Sequence, residues 1–231
     1  SGDVTLDLDL LYKIGGTNFT DSLLIGTTTT GTLNASEKNT GVGIEALDAL
    51  TSGDRNVALG YQAGSALTTG SFNTGIGANA LIGLTTGSAN TAIGYNALRD
   101  PAGSNNTGLG SNTLKLVVDG VNNIGIGANA GKNITSGDGN VIIGGVDAAS
   151  ATGDRQLIIA GNDGSTTTTW ISGDNTGNLT FAADVTVGDD LNLTTDASII
   201  NFGADSDTTL THTDGAGLTL NSTNKLMFND A

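Results

Sequence analysis

A five-residue phrase returns every sixteen or seventeen residues between Asn39 and Gly161, and this period leaves the chain very few folds. The phrase reads NTGVG from Asn39, NVALG from Asn56, NTGIG from Asn73 and NTAIG from Asn90. It continues as NTGLG from Asn106, NIGIG from Asn123 and NVIIG from Asn140. Weaker copies flank the array, SLLIG from Ser22 and QLIIA from Gln156. A second register keeps step: Gly53, Gly70, Gly87, Gly103, Gly120, Gly137 and Gly153, mostly followed by Asp or Ser. Self-similarity at a fixed short period marks a solenoid, and so short a unit has no room for a helix pair. Two short strands and two tight turns do fit. The expectation is an all-β coil, one phrase per turn, with about eight or nine coils stacked over roughly 40 Å.

Within the phrase, alternation predicts two faces. One residue after the Asn come Thr40, Val57, Thr74, Thr91, Thr107, Ile124 and Val141; three after it come Val42, Leu59, Ile76, Ile93, Leu109, Ile126 and Ile143. These β-branched and aliphatic columns are expected to stack inside the coil. Between them stand Gly41, Ala58, Gly75, Ala92, Gly108 and Gly125, until Ile142 breaks the run. A column of Gly and Ala on a strand face suggests close approach by another backbone, and the expected partner is the same surface of another copy. The bland alternative is that small residues only ease curvature.

The phrase-opening column, Asn39, Asn56, Asn73, Asn90, Asn106, Asn123 and Asn140, has two structural readings: turn residues in left-handed geometry, or rungs of a stacked amide ladder. The closing glycines, Gly43, Gly60, Gly77, Gly94, Gly110, Gly127 and Gly144, mark the corner of each coil. The second half of each unit is looser, as in EALDAL, NALIGL and NTLKLV, and Pro101 falls in the single shortened mid-array unit, where a turn accepts it.

The N-T-x-I-G-x-N-A-L style of these repeats resembles the head repeats of trimeric autotransporter adhesins, whose phrases read Asn-x-x-Ala-Ile-Gly. It resembles still more closely the repeat regions of tail-fibre and related virion proteins of marine bacteriophages. The resemblance covers roughly residues 21–164. It implies a left-handed parallel β-roll in which three chains assemble around one axis, with the Gly/Ala column as the place for that trimer seam.

Domain organisation follows from where the period starts and stops. Residues 1–20 alternate as VTLDLDLLYKI and are expected to form an N-terminal strand or cap; residues 21–165 form the β-roll. Residues 166–231 alternate with period two, with turn dipeptides at Gly188-Asp189, Asp214-Gly215 and Asn224-Lys225, and read as a β-rich stem or prism-like region. This last stretch looks like the part of phage fibres just before a C-terminal self-cleaving chaperone. Trp170, where the period fails, is expected either to plug the end of the roll or to offer a surface contact to a sugar.

Composition narrows function. With 36 Gly, one Pro, no Cys and 4% aromatic residues, the chain argues against helices, a disulfide scaffold and a thiolate metal site. The net charge of −15 opposes binding to nucleic acid or anionic membranes. No hydrophobic run reaches membrane length, so no membrane insertion is expected. Residues 161–231 carry ten Asp against Lys225 alone.

No catalytic, metal or cofactor site is expected. Asp189 and Asp190 are adjacent and would point to opposite faces of a strand, His212 lacks a nucleophile motif, and Asp54, Asp138 and Asp154 are too sparse for a calcium array. GIGANAG from Gly125 lacks the strand–loop–helix context of a nucleotide fingerprint. The expected function is a non-enzymatic, homotrimeric shaft of a virion appendage, a phage tail fibre or similar, extracellular, joined to other fibre or baseplate proteins and displaying a site for a host glycan or protein. The alternatives are a bacterial adhesin head, a polysaccharide-cleaving tailspike, and an ice-binding face built on Thr rows. The last is disfavoured by the expectation that Thr40 to Thr107 face inward.

Overall fold

Alternation and period together produce a stack of very short strands. The computed structural model describes residues 12–16, 19–26, 33–100, 103–182 and 185–186. Two strands open it, β1 (Tyr12–Gly16) and β2 (Phe19–Ile25), with the two-residue β3 (Ser36–Glu37) beside β2. Seven three-residue strands follow: β4 (Thr40–Val42), β5 (Val57–Leu59), β6 (Thr74–Ile76), β7 (Thr91–Ile93), β8 (Thr107–Leu109), β9 (Ile124–Ile126) and β10 (Val141–Ile143). The series ends with β11 (Leu157–Asn162), β12 (Thr167–Gly173) and β13 (Leu179–Phe181).

From β2 through β11, apart from β3, each strand pairs parallel with its equivalent one coil away, in register: Thr40 beside Val57, Thr74 beside Thr91, Ile126 beside Ile143. Both ends switch to antiparallel pairing, β1 on β2 and β12 on β11, with β13 beyond β12. The described residues thus form an all-β parallel solenoid of about eight coils of some seventeen residues. The chain divides into two units, Ser1–Val185 and Thr186–Ala231; the described residues lie almost wholly in the first. Pro101, Asp189, Asp190, His212 and the expected strands after Val185 lie outside the described residues.

The interior is the reverse of the sequence expectation. Gly41, Ala58, Gly75, Ala92, Gly108 and Gly125 point into the coil, and Ala58 and Ala92 are 1% and 0% exposed. The β-branched and aliphatic columns on either side are half-buried or exposed. The core is filled from the loose half of the unit: Leu47, Leu81, Leu98 and Leu114 eight residues after the Asn, and Leu50, Leu67, Leu84, Val117 and Ile134 eleven after it.

Space explains the inversion. A methyl placed on Gly125 would fall 2.8 Å from Leu114 Cγ, and one on Gly108 3.3 Å from Leu98 Cγ. The coil is so thin that leucines from the opposite limb reach the strand, and where they do the inward position is Gly or Ala. Ile142 supports this by compensation. It is fully buried, and the coil beside it carries Gly131 where four other coils carry Leu and one carries Gly64; a Cβ on Gly131 would lie 3.2 Å from Ile142 Cγ1. Interiors are packed to nearly constant density, so one large side chain requires a small neighbour.

Among the described residues the expected second strand of each unit is absent. That half is a run of turns with left-handed backbone at Glu45, Gln62, Asn79, Asn96, Asn112 and Asn129 (φ 53° to 62°). The left-handed Leu47, Leu81, Leu98 and Leu114 follow two residues later. Non-glycine residues pay roughly 1–2 kcal/mol for this conformation, and no β-branched residue stands at these positions. The cost is offset because the turn backbone still bonds to both neighbouring coils, as in Gln62 N–H to Ile44 O (2.9 Å) and Leu47 N–H to Ala63 O (3.1 Å). The closing glycines sit at φ 107° to 138°, a region that L side chains rarely adopt.

The glycine columns therefore differ in tolerance. Gly75→Ala meets only Leu81 Cδ1 at 3.3 Å and Ala80 O at 3.4 Å, and Ala58 and Ala92 already fill equivalent sites. Gly70→Ala would drive a methyl into the Gly87 carbonyl of the next coil, with Leu67 Cδ1 only 2.8 Å away. Chemical denaturation should find the first change within about 1 kcal/mol of the parent and the second destabilising by about 1–3 kcal/mol.

Candidate functional site

Three features are candidates for function: the buried Asn column, the acidic turns, and the outward face of the sheet.

The Asn column is an amide ladder, the second of its two readings. Each side chain is buried, with Asn39, Asn56, Asn90, Asn106, Asn123 and Asn140 at 0% exposure. Asn73 shows the pattern: its backbone N–H donates to Asn56 Oδ1 (2.9 Å), and its Nδ2 donates to Asn56 Oδ1 (3.1 Å) and to Gly87 O (2.9 Å). Its own Oδ1 accepts from the backbone and Nδ2 of Asn90. Both amide protons and both lone pairs are thereby used. One bond closes the coil on the turn glycine and the others tie coil to coil. The ladder starts on Ser22 Oγ and ends on Gln156, whose Nε2 reaches Asn140 Oδ1 and Gly153 O. With every polar atom matched, the column is structural.

The turn acids serve the backbone. Asp54 Oδ1 accepts from Glu37 N–H, Asp138 Oδ1 from Val121 N–H and Asp154 Oδ1 from Asp138 N–H, each one coil away. Ser71, Ser88 and Ser104 do the same in the middle of the stack, which is why Asp or Ser follows the turn glycine. Near the C-terminal end, hydrogen bonds from Thr166 and Ser165 N–H hold the Asp163 carboxyl below its ordinary range. Donors on Thr176 and Asn178 hold Asp174 lower still. Among the described residues no group of His, Cys, Asp or Glu is arranged to hold a metal ion, and no helix is long and apolar enough to cross a membrane.

The outward face is different in kind. Its first- and third-position columns, expected inside, form a continuous ladder on the outside, with Val42 38%, Leu109 44% and Ile126 39% exposed. A fifth-position column joins them at the edge: Ile44, Tyr61, Ala78, Tyr95, Ser111, Ala128 and Gly145. Not one residue of the three columns carries a charge, in a chain whose net charge is −15. The face also continues beyond the coils. Ile159 lies beside Ile143 and opposite Ile171, which lies opposite Phe181; Leu157 lies opposite Gly173, which lies opposite Leu179. Facing residues in a ladder share a side of the sheet, so Leu179 (57% exposed) and Phe181 (47%) extend the same wall.

Trp170 belongs to this wall and does not enter the coil's interior. It is the extra residue of a bulge, between the Ile159–Ile171 and Ala160–Thr169 pairs. Its ring covers Gly161, where a Cβ would sit 2.6 Å from Trp170 Cζ2, and it remains 55% exposed. Gly161 continues the outward alternation of Leu157 and Ile159.

Elsewhere Arg55 stacks over Phe72 at 5.1 Å, and Lys38–Glu37 and Arg99–Asp100 pair at 2.8 Å. Sequence reasoning found the Asn and Gly columns but expected the Gly/Ala column on the outside, and it did not single out Ile44, Tyr61 and Tyr95. Their signal was the lack of any charge two residues past the aliphatic column. Comparison with known proteins finds no matching family model, no matching curated protein and no matching solved structure.

Proposed function

We propose that the chain is a structural segment of a virion appendage, a phage tail fibre or similar, in which three copies pack their uncharged walls together to form a rigid shaft supporting a host-receptor-binding tip. The observation that carries this reading is the wall itself. Soluble monomers rarely expose a contiguous apolar patch of this length, and an interface core is depleted of charge in the same way. Moving the contact from the Gly/Ala column to the outward ladder strengthens the oligomer reading, because β-branched and aliphatic side chains bury far more apolar area than Gly and Ala do. The seam Gly41, Ala58, Gly75, Ala92, Gly108 and Gly125 is replaced by the columns that flank it.

The shaft role needs no catalysis, and the carboxylates of Asp54, Asp138 and Asp154 serve backbone donors one coil away. Antibody raised against residues 39–161 should label an appendage on particles made from the encoding genome. Label confined to a bacterial surface would overturn the virion assignment and favour the adhesin-head alternative.

A second reading is favoured by one observation. Thr40, Thr74, Thr91 and Thr107 face outward, so the ground for setting aside an ice-binding face no longer stands. Val57, Ile124 and Val141 interrupt the Thr row, and the shaft reading expects no slowing of ice growth by the assembled protein.

A further inference from the structure

The wall poses a problem that its own regularity creates. Along the first- and third-position columns, sliding one copy past another by a coil exchanges Thr for Val or Ile for Leu. A surface that repeats so closely specifies register weakly, as flat strands and uniform coiled-coil seams do. The fifth-position column is different. It sets Tyr61 and Tyr95 on either side of Ala78 and then holds only the small Ser111, Ala128 and Gly145, while beyond the coils the Trp170 ring covers Gly161. Within the coils this column holds the most exposed large groups of the wall: Ile44 62%, Tyr61 49% and Tyr95 54% exposed, against 36% to 44% for Ile93 and Leu109.

We propose that this edge sets the axial register of the assembly: the column of each copy packs on the same column of its neighbours, and Tyr61, Tyr95 and Trp170 form like-with-like aromatic layers. The inference rests on the reading that further copies of this chain cover the wall. Around a closed rotational axis, the residues nearest the axis meet their own equivalents. The column that a lone chain leaves most exposed is the one such packing buries most. In register, ring meets ring and methyl meets methyl. One coil out of register, Tyr61 meets Ala78 and leaves voids on one side and overlap on the other. Trp170 stands at the end of the ladder as the tallest stop, and pairing of its rings adds to burial.

The absence of cysteine makes the test direct. Ala78→Cys copies should form 78–78 disulfides on mild oxidation. Ala78→Cys mixed with Ser111→Cys should give none between the two positions, because two coils separate them by about 10 Å along the axis, beyond the roughly 7 Å Cα limit of a disulfide. Adding Tyr61→Ala, Tyr95→Ala and Trp170→Ala, all half-exposed in the single chain, should raise the 78–111 product about tenfold, the change that roughly 1.4 kcal/mol of register preference represents. A three-chain mass without 78–78 disulfides would overturn the inference and leave the oligomer standing. So would a 78–111 yield that ring removal leaves unchanged. A one-chain mass would overturn the oligomer reading beneath it.

Discussion

Asn90→Asp is expected to destabilise the coil by roughly 3 kcal/mol or more, although it changes a single polar atom. Asn90 is 0% exposed, and its Nδ2 donates to Asn73 Oδ1 at 3.1 Å and Gly103 O at 3.0 Å. Aspartate removes both donors and sets a carboxylate against two oxygens in a fully buried site, each loss costing about 1–3 kcal/mol before the charge is counted. The sign with pH follows. Burial raises the folded-state pKa of the new carboxyl above its unfolded value of about 3.9. The variant is therefore closest to the parent below that value and loses stability as pH rises through the raised one. Asn112→Asp is the control. Asn112 is half-buried, its Oδ1 accepts from Asn96 Nδ2, and its φ of 55° suits Asp as well as Asn; a cost under about 1 kcal/mol is expected. Denaturation of both variants at pH 4 and pH 8 reads the difference. Equal effects would mean that the ladder is not what closes the coils.

The second large effect is on assembly. Ile93→Lys together with Leu109→Lys places two cations side by side in the third-position column, since these residues are partners in β7 and β8. In the single chain both are exposed, 36% and 44%, so the coil should keep its stability within about 1 kcal/mol. Between copies the same lysines are desolvated and face one another, a cost of several kcal/mol, and a soluble, folded single chain is expected. Gly75→Lys, on the neighbouring inward position, should do the opposite and unfold the coil, because Leu81 Cδ1 already lies 3.3 Å from where its Cβ begins. Had the Gly/Ala column been the outer seam, these two outcomes would exchange places.

That exchange locates what the sequence could and could not convey. The repeat, its period, the Asn rungs and the corner glycines were legible, because each rests on a local requirement: a fully bonded amide, or a backbone angle that excludes Cβ. The alternation along each three-residue strand was legible too, but not its phase. Alternation states that Thr74 and Ile76 share a face and Gly75 takes the other; it does not state which face is inside. The rule that apolar columns go inward fails here because the unit has two apolar sets, the strand's aliphatics and the Leu81 and Leu84 type of the following turn, and so thin a coil holds only one. The turn half looked like the poorer candidate because it lacks a strand pattern. Its left-handed residues hide the pairing that its backbone still makes with neighbouring coils. A Gly131 facing Ile142 was a volume clue, and it becomes readable only once the two limbs are placed opposite each other.

The wall was not foreseeable as a wall for the same reason. Its lack of charge was visible, but an uncharged column reads equally well as interior. Only when the interior proves to be filled from elsewhere does that column become a surface in need of a partner.

The mass of the unmodified chain in solution, by light scattering, bears most directly on this account. It should be three times the 22.9 kDa of one chain, and should fall to one chain with Ile93→Lys and Leu109→Lys. A stable, monodisperse 22.9 kDa particle, its outward ladder open to water, would contradict it.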